Sequence, residues 1–362
     1  MEMRMRTISV SGSPYEMGFQ HGQMLSNQIQ DFIKIRNASI SSYSNRRGPT
    51  EIDINEFANR SIEVFKKWDP NGHAELVGIA EGAKVDTLGL FAASNMTDMR
   101  DSLHLQDPSG PRLDPTLNEG CTSIMAPRTH ANNGYNIAGQ TWDMYSDNVD
   151  HVVAIKRNPS DGPCTWSVTC GGCLTLMGIN EYGLAIGTTN IKTYGVKPGA
   201  GYLSILHRAI RCDSVNEASE IIAGAPHAGA HTYWLCDEHD QIEWEVSPAN
   251  SPISRDTTNG PIHRTNHCLS EENCLIEGEV VGESSEARYN RVEALLGGND
   301  LGPEELREIF CDRSDGILSV CRHPEDDQVG STNAAFIAIP KERRAIACRG
   351  PADRGSWIDL TF

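Results

Sequence analysis

The first hundred residues have apolar side chains at the spacing of amphipathic helices. Ser13 opens this part as a helix cap, with proline at the first helical position and Glu16 three residues after the cap. The same cap signature returns at Asp53 with Glu56. Apolar residues recur three or four positions apart behind each cap, and again within 75–99, a stretch rich in Ala and Gly that suits close helix packing. This pattern predicts a helical N-terminal segment.

After residue 120 the hydrophobic positions alternate, which is typical of β-strands. We predict successive strands at 123–126, 135–141, 151–156, 165–170, 174–179 and 184–189. A helix at 202–210, a second helix capped by Ser214, a hairpin of 232–236 with 241–247, a short strand, two more helices and a closing hairpin follow. Because strands and helices come in blocks rather than in strict βαβ alternation, we predict an α+β fold with mostly antiparallel sheets and helices in separate layers.

Composition narrows the classes of partner. The chain has 362 residues, of which 38% are hydrophobic and 22% charged, which is ordinary for a globular protein. Its net charge of −18 argues against nucleic acid and anionic membrane surfaces, because both repel an acidic protein. No stretch reaches the length of about 18 apolar residues that a membrane-spanning helix needs. The first ten residues are polar and charged rather than signal-like, so we expect a cytoplasmic protein.

The 11 cysteines are scattered along the chain, so we expect reduced thiols rather than a disulfide framework. Cys170 and Cys173 make up a Cys-x-x-Cys whose two glycines lie between predicted strands. This position favours a hairpin turn over a redox or metal motif, and we expect neither a metal nor a bound cofactor. A thiol-redox protein that uses Cys170 and Cys173 is an alternative, and it predicts that Cys121 is dispensable.

The stretch NEGCTS at 118–123 follows a connector rich in Pro, Asp and Gly. We interpret it as a self-cleavage site between Gly120 and Cys121. The Cys121 thiol can attack the Gly120 carbonyl, and glycine offers no side chain to obstruct the attack. Cleavage gives Cys121 a free α-amino group with an ordinary pKa of about 7.7–8.0, able to take the thiol proton near neutral pH. The alternative is a common Gly-Cys pair whose thiol is a small buried hydrophobe.

Further segments resemble the penicillin acyltransferase family of N-terminal-nucleophile (Ntn) hydrolases. They are placed in order around the Gly-Cys pair: GSPYEMG at 12–18, GIAEGA at 78–83, GCT at 120–122, GQTWD at 139–143, RTNHCL at 264–269, and Arg288. Each segment alone is a weak signal, but their order makes the combination specific. The resemblance implies a four-layer αββα sandwich in which two antiparallel sheets lie between helical layers.

The resemblance also implies that the chain is a precursor. Cleavage would leave a helical segment 1–120 and a catalytic part 121–362, held together as a heterodimer. The enzyme would form or cleave amide bonds of small molecules through a thioester on Cys121, with acyl-CoA as a co-substrate if it is an acyltransferase. A hydrolase of N-acyl or β-alanyl amines without transferase activity, and a non-catalytic relic of the fold, are the alternatives.

The same resemblance implies the site residues. Cys121 is the expected nucleophile, Asn266 and Asn190 are the expected oxyanion-hole residues, and Asp143 is the carboxylate that holds the new α-ammonium group or positions the thiol. Physically, the Asn266 amide can donate to a tetrahedral oxyanion, although an asparagine there can also cap a strand end. As an isolated residue, Arg288 is more typical of a surface helix charge. The residues expected to contact the substrate are Thr122, Gln140 and Arg288.

Overall fold

The computed structural model describes residues 3–48, 50–108, 110, 112–115, 120–297, 300–326 and 330–362. Two residues of the NEGCTS stretch, Asn118 and Glu119, lie outside the described residues. Within the described ranges, no helix combines the length and the apolar character that crossing a bilayer requires.

Most of the N-terminal part is helical, as the pattern predicts. Its helices are α1 (Pro14–Met24), α2 (Ser26–Arg47), α3 (Ile54–Trp68), α4 (Pro70–Ala83), α5 (Thr87–Ser94) and α6 (Met96–Asp101). The capping box of α1 is complete, because the Ser13 hydroxyl accepts from the Glu16 N–H and the Glu16 carboxylate accepts from the Ser13 N–H at 2.8 Å. Asp53 caps α3 through its carboxylate, which accepts from the Asn55 and Glu56 N–H groups.

Glycines bring α1 and α4 into backbone contact. A Cβ atom on Gly18 would overlap the Glu75 carbonyl oxygen, and one on Gly78 would overlap the carbonyl oxygen of Tyr15. Any larger residue would therefore force the two helices apart. Both glycines belong to segments that support the family resemblance. At these two positions the resemblance therefore reflects close packing of α1 against α4.

The strands form two sheets. They are β1 (Arg6–Gly12), β2 (Gly120–Ala126), β3 (Ile137–Tyr145), β4 (Val152–Pro159), β5 (Thr165–Cys170), β6 (Met177–Asn180), β7 (Ala185–Asn190), β8 (His231–Cys236), β9 (Gln241–Val246), β10 (Ile253–Asp256), β11 (Ile262–Arg264), β12 (Gly330–Ile339), β13 (Arg344–Arg349) and β14 (Trp357–Thr361). The eight-stranded sheet has the order β1-β4-β5-β6-β7-β8-β9-β10, and the six-stranded sheet has the order β11-β2-β3-β12-β13-β14. The β1–β4 pair is parallel and the other pairs are antiparallel.

Helices cover the outer face of each sheet. Those beyond residue 200 are α7 (Tyr202–Ala209), α8 (Val215–Ala223), α9 (Glu271–Cys274), α10 (Glu283–Leu296) and α11 (Pro303–Phe310). Helices α1, α7 and α8 contact the eight-stranded sheet, whereas α10 and α11 contact the six-stranded sheet. The inner faces of the sheets meet where β2 and β3 contact β7. The predicted α+β fold, a four-layer αββα sandwich of mostly antiparallel sheets, is confirmed.

The predicted helical segment 1–120 also contains a strand, β1, which the sequence pattern did not predict. It pairs in parallel with β4, which lies beyond the proposed cleavage point. Its polar, charged sequence hid it, since Ile8 and Val10 are its buried side chains and the alternation is short. The segment before residue 120 therefore shares a sheet with the part that follows.

A buried ion pair also joins these two parts. The Glu75 carboxylate on α4 accepts from Arg157 Nε on β4 at 2.6 Å and lies 3.1 Å from His207 Nε2 on α7. Burial acts to raise the pKa of Glu75, but Arg157 and His207 outweigh it and hold this pKa below its ordinary value. Both partners of the ion pair are almost fully buried, so removing either one would leave a charge without compensation.

Two further edge strands, in addition to β1, were not predicted from the sequence. Strands β10 and β14 close one end of each sheet, and most of their side chains are half-buried or exposed, so they show little hydrophobic alternation. Strand β6 begins at Met177 rather than at residue 174, because the chain first completes the turn that follows β5.

The Cys170–Cys173 segment forms that turn. The Cys173 N–H donates to the Cys170 carbonyl at 2.9 Å, and β5 pairs with β6, so the predicted hairpin turn is confirmed. The Gly172 N–H donates to Nε2 of the buried His21 on α1 at 2.9 Å. Both thiols are buried and free, and burial raises the pKa of Cys170 to about 12. Such thiols are poor redox groups, which argues against the thiol-redox alternative.

Candidate active site around Cys121

Cys121 lies on β2, between β11 and β3. Its side chain is 6% exposed and joins the apolar core between the sheets, while Thr122 faces the opposite side, toward α10, because strand side chains alternate. Burial, and after it the Asp143 carboxylate, raise the pKa of the Cys121 thiol to about 12, although the Arg288 guanidinium acts in the opposite direction. The thiol of the uncleaved chain is therefore protonated near neutral pH.

Gly120 is surrounded by three charged side chains. A Cβ atom at this position would lie 2.9 Å from Asp143 Oδ2, 3.2 Å from Arg288 Nη2 and 3.3 Å from Arg322 Nη1. Asp143 is also the partner of Gly120 across the β2–β3 ladder. An added methyl group would therefore push at least one of these side chains aside, so the packing favours glycine here.

Gly120→Ala is expected to slow self-cleavage, because its methyl group would displace the Asp143 carboxylate or the Arg288 guanidinium. Misplacement of reacting groups by a fraction of an ångström to 1 Å costs about 10- to 100-fold in rate. A time course of cleavage on a denaturing gel measures the effect. Gly89→Ala is the matched control, since its Cβ would meet its neighbours at an ordinary 3.5 Å. Equal cleavage rates for wild type and Gly120→Ala would contradict the role given to this packing.

Asp143 is buried beside the proposed cleavage point. Its Oδ1 accepts from the Thr332 hydroxyl on β12 at 2.7 Å, and no hydrogen-bond partner for Oδ2 is found among the described residues. Burial raises the pKa of Asp143, while Arg322 and Arg288 act in the opposite direction. The carboxyl group is therefore a better proton acceptor than a solvated aspartate.

Arg288 reaches Cys121 from α10. Its Nη1 donates to the Cys121 carbonyl at 2.5 Å and to the Thr122 hydroxyl at 3.0 Å, and its Nη2 donates to Asn266 Oδ1 at 2.8 Å. The side chain is 1% exposed, and burial lowers its pKa to about 10. Arg288 is therefore not the surface charge that an isolated arginine suggests, and it holds the backbone of Cys121.

The two asparagines contact each other next to Cys121. Asn266 Oδ1 accepts from the Cys121 N–H at 2.8 Å, and Asn266 Nδ2 donates to the Asn190 carbonyl at 2.9 Å. In the uncleaved chain the Asn266 oxygen thus faces Cys121, and one amide N–H is engaged with Asn190. The second N–H of the same amide is the one that could donate to an oxyanion.

Thr122 and Gln140 line neither of two cavities found near Cys121. The Thr122 hydroxyl accepts from Arg288 on the helix side of β2. Gln140 is buried between the sheets, where its Oε1 accepts from the Thr188 N–H and from Trp234 Nε1, each at 2.7 Å. Both side chains are thus bonded within the protein, and their contact with the substrate stays a prediction.

The larger cavity, of about 450 Å³, is lined in part by Asn190, Asn266 and Arg288. This volume suits a small molecule. A second space of about 20 Å³ touches Cys121 itself. Asn190 and Asn266 line both, so the asparagines lie between the large cavity and Cys121. Charged groups on the wall of the large cavity include Lys192, which forms an ion pair with Glu279 at 2.6 Å. Its apolar wall comes from Val280, Val281, Ile317 and Leu318.

Two site residues were missed by the sequence analysis. Arg322 is buried, lines the large cavity and approaches Gly120, but it lies in an irregular segment that no motif marks. His231 lines the small space together with Cys121, and its Nε2 lies 2.8 Å from Asp98 Oδ1 on α6. No hydrogen-bond partner for His231 Nδ1 is found among the described residues. His231 and Asp98 are 133 positions apart in the chain, so the sequence gives no signal for this pair.

Comparison with known sequences adds two findings. The sequence model of the family described as acyl-coenzyme A:6-aminopenicillanic acid acyl-transferase matches residues 129–353. This range begins after Cys121 and includes Asp143, Asn266 and Arg288. The chain is also 24% identical over 359 residues to the acyl-coenzyme A:6-aminopenicillanic-acid-acyltransferase 40 kDa form of Emericella nidulans, an alignment that covers 98% of this chain and 96% of that protein.

Two solved structures show weaker likenesses. A mutant of conjugated bile acid hydrolase from Clostridium perfringens is 12% identical, with a TM-score of 0.45, over 67% of this chain and 97% of that one. Penicillin V acylase from Agrobacterium tumefaciens is 13% identical, with a TM-score of 0.39, over 69% of this chain and 81% of that one.

Proposed function

The chain belongs to the acyl-coenzyme A:6-aminopenicillanic acid acyl-transferase family, and on that premise we propose that it is a self-cleaving cysteine enzyme that forms or cleaves amide bonds of small molecules. Family membership supports acyl transfer as the reaction class. The observation that carries the proposal is the set of buried polar groups around the Gly120–Cys121 bond, next to a cavity of about 450 Å³. Burying charged groups costs stability, and proteins accept that cost mainly at functional sites.

The first step is cleavage of the chain. The Cys121 sulfur attacks the Gly120 carbonyl carbon, a carbon–sulfur bond forms, and the bond from that carbon to the Cys121 nitrogen breaks. The thiol proton has to leave before an α-amino group exists to accept it. Asp143 fits this task, because its pKa is raised and its Oδ2 lies beside Gly120. The proton passes on to the leaving nitrogen, and water then hydrolyses the thioester.

The second step is catalysis by the freed N-terminus. The α-amino group of Cys121 serves as the base, so the thiol can attack an acyl donor without a histidine. Asn266, through its second amide N–H, and Asn190 stabilise the oxyanion of the tetrahedral intermediate. Asp143 stabilises the α-ammonium form, since a nearby carboxylate favours a cation. The resulting thioester passes its acyl group to water or to an amine.

The acceptor distinguishes the two versions of this function. With water as acceptor the protein is a hydrolase of N-acyl or β-alanyl amines, and with an amine as acceptor it is an acyltransferase that takes acyl-CoA as a co-substrate. The cavity wall combines apolar residues with the Lys192–Glu279 ion pair, so it fits a ligand that has both an apolar and a charged part. The segment 1–120 is the proposed partner of 121–362 in a heterodimer. A cytoplasmic location and the lack of nucleic-acid and membrane partners remain predictions.

An acyl-enzyme is expected when the processed protein meets a panel of N-acyl nitroanilides and acyl-CoA thioesters. Rapid acid quenching followed by intact-mass measurement should show the 121–362 fragment heavier by one acyl group, and peptide mapping should locate that group on Cys121. Adding an amine then separates the two versions, because a transferase yields a new amide whereas a hydrolase yields free acid. Cys164→Ser, which changes a half-buried thiol elsewhere, is the control that should still acylate. An adduct on another residue, or none with any donor, would refute the proposal.

A further inference from the structure

Cys321, His323 and Asp353 bring three metal-ligand side chains together outside the cavities at Cys121. Their ligand atoms all lie within 4.8 Å of one another. His323 Nε2 lies 2.9 Å from both carboxylate oxygens of Asp353, and Cys321 Sγ lies 3.2 Å from Asp353 Oδ1. The first two residues precede β12, and Asp353 lies in the turn between β13 and β14, so the cluster is a product of the fold.

This donor set matches the chemistry of zinc. Thiolate, imidazole and carboxylate bind Zn²⁺ at about 2.0–2.3 Å, which places the donors of a tetrahedral site about 3.3–3.6 Å apart. The observed separations need to widen by about a few tenths of an ångström to reach that geometry. The sulfur donor argues against Ca²⁺ and Mg²⁺, which take oxygen ligands.

A second carboxylate lies on the other side of the imidazole, at ion-pair distance. Glu325 Oε1 lies 3.7 Å from His323 Nδ1, and Glu325 is itself paired with Arg354 at 2.5 Å. A histidine that binds a metal typically donates its other ring N–H to such a group. Cys321 and His323 are buried, whereas the Asp353 side chain is 29% exposed, which gives a cation a route from solvent and leaves room for a water ligand.

We propose that Cys321, His323 and Asp353 bind one zinc-class divalent cation, with water as the fourth ligand. On binding, the Cys321 S–H bond breaks, the proton passes to solvent and the sulfur bonds the cation, so no oxidant or reductant is needed. Arg322 lies between two of these ligands in the chain and lines the large cavity. The cation would therefore fix the backbone that places Arg322 beside Gly120.

Cobalt(II) and zinc(II) titrations of chelator-treated full-length protein test this proposal. We expect one Co²⁺ per chain, with the near-ultraviolet absorption of a cobalt–thiolate bond, and displacement of the cobalt by one equivalent of Zn²⁺. Cys321→Ser should abolish that absorption, whereas Cys212→Ser, a buried cysteine that follows α7, should keep it. Glu325→Gln should weaken zinc binding by about 10- to 100-fold, the usual effect of removing a supporting group.

Three results would overturn the proposal: no zinc retained after equilibrium dialysis, a cobalt complex without thiolate absorption, or equal absorption in wild type and Cys321→Ser. Each would leave the cluster as a hydrogen-bonded structural contact. If Cys321→Ser does not fold, Asp353→Asn decides the question through its partly exposed side chain. A loss of at least about tenfold in zinc affinity supports the proposal, and an unchanged affinity overturns it.

Discussion

Cys121→Ala is expected to stay a single full-length chain, while the wild-type protein separates into fragments 1–120 and 121–362 under denaturing conditions. The substitution removes the atom that attacks the Gly120 carbonyl, so neither cleavage nor a thioester can form. Amide-bond activity should fall by roughly 10⁶-fold, the scale seen when the nucleophile of subtilisin is removed. Intact-mass measurement of both proteins after prolonged incubation decides the cleavage, and turnover of an N-acyl nitroanilide decides the activity.

A matched control separates the loss of the nucleophile from a loss of packing. Cys236 is also buried, on β8, and Cys236→Ala should still cleave and turn over. Cys121→Ala should fold normally, since it removes one sulfur atom from a small buried side chain. A wild-type protein that remains whole, or that is cut at another bond, would refute self-cleavage at Gly120–Cys121.

Asn266→Ala is expected to lower kcat by roughly 10²–10³ once the protein is processed, because it removes a donor to the oxyanion. The structure adds a second consequence. Asn266 also accepts hydrogen bonds from the Cys121 nitrogen and from Arg288, so the Ala variant leaves a buried guanidinium with one partner fewer. kcat and KM on the processed variant, together with its thermal unfolding midpoint, separate the two effects.

Asn266→Asp is the informative comparison for that experiment. Aspartate keeps the acceptor that faces Cys121 and Arg288 but has no amide N–H to donate. If the oxyanion role is correct, Asn266→Asp should lose kcat as Asn266→Ala does, while its unfolding midpoint stays closer to that of the wild type. A turnover near that of the wild type in both variants would remove Asn266 from the catalytic site.

Those features of the fold that depend on local pattern could be predicted from the sequence. The caps at Ser13 and Asp53 and the strand alternation after residue 120 predicted most of the helices and strands but not β1, β10 and β14, since capping and side-chain alternation act over a few residues. The Gly120–Cys121 pair adjoins a small space of about 20 Å³ and three charged side chains, and cleavage there stays a prediction.

Long-range partners could not be predicted. Gln140 belongs to a motif, yet its side chain bonds Trp234 and the Thr188 backbone, so the motif reports the packing between the sheets. Arg322 and His231 approach the site through irregular chain and through a strand pairing that no local signal encodes. Burial also changed the interpretation of Arg288, because the solvent exposure of a helix position depends on what packs over it.

Strand β1 and the Glu75–Arg157 ion pair determine how many molecules must meet when the protein refolds after the proposed cut. Both link residues before the proposed cut to residues after it, inside a sheet and a buried core. A precursor unfolds and refolds as one molecule, with its effective concentration set by the chain itself. After the cut, the same contacts become an interface between two polypeptides, so refolding requires a bimolecular encounter and apparent stability rises with protein concentration. The proposed cleavage would thus convert an intramolecular folding equilibrium into an association equilibrium, in which dilution favours the separated, unfolded fragments.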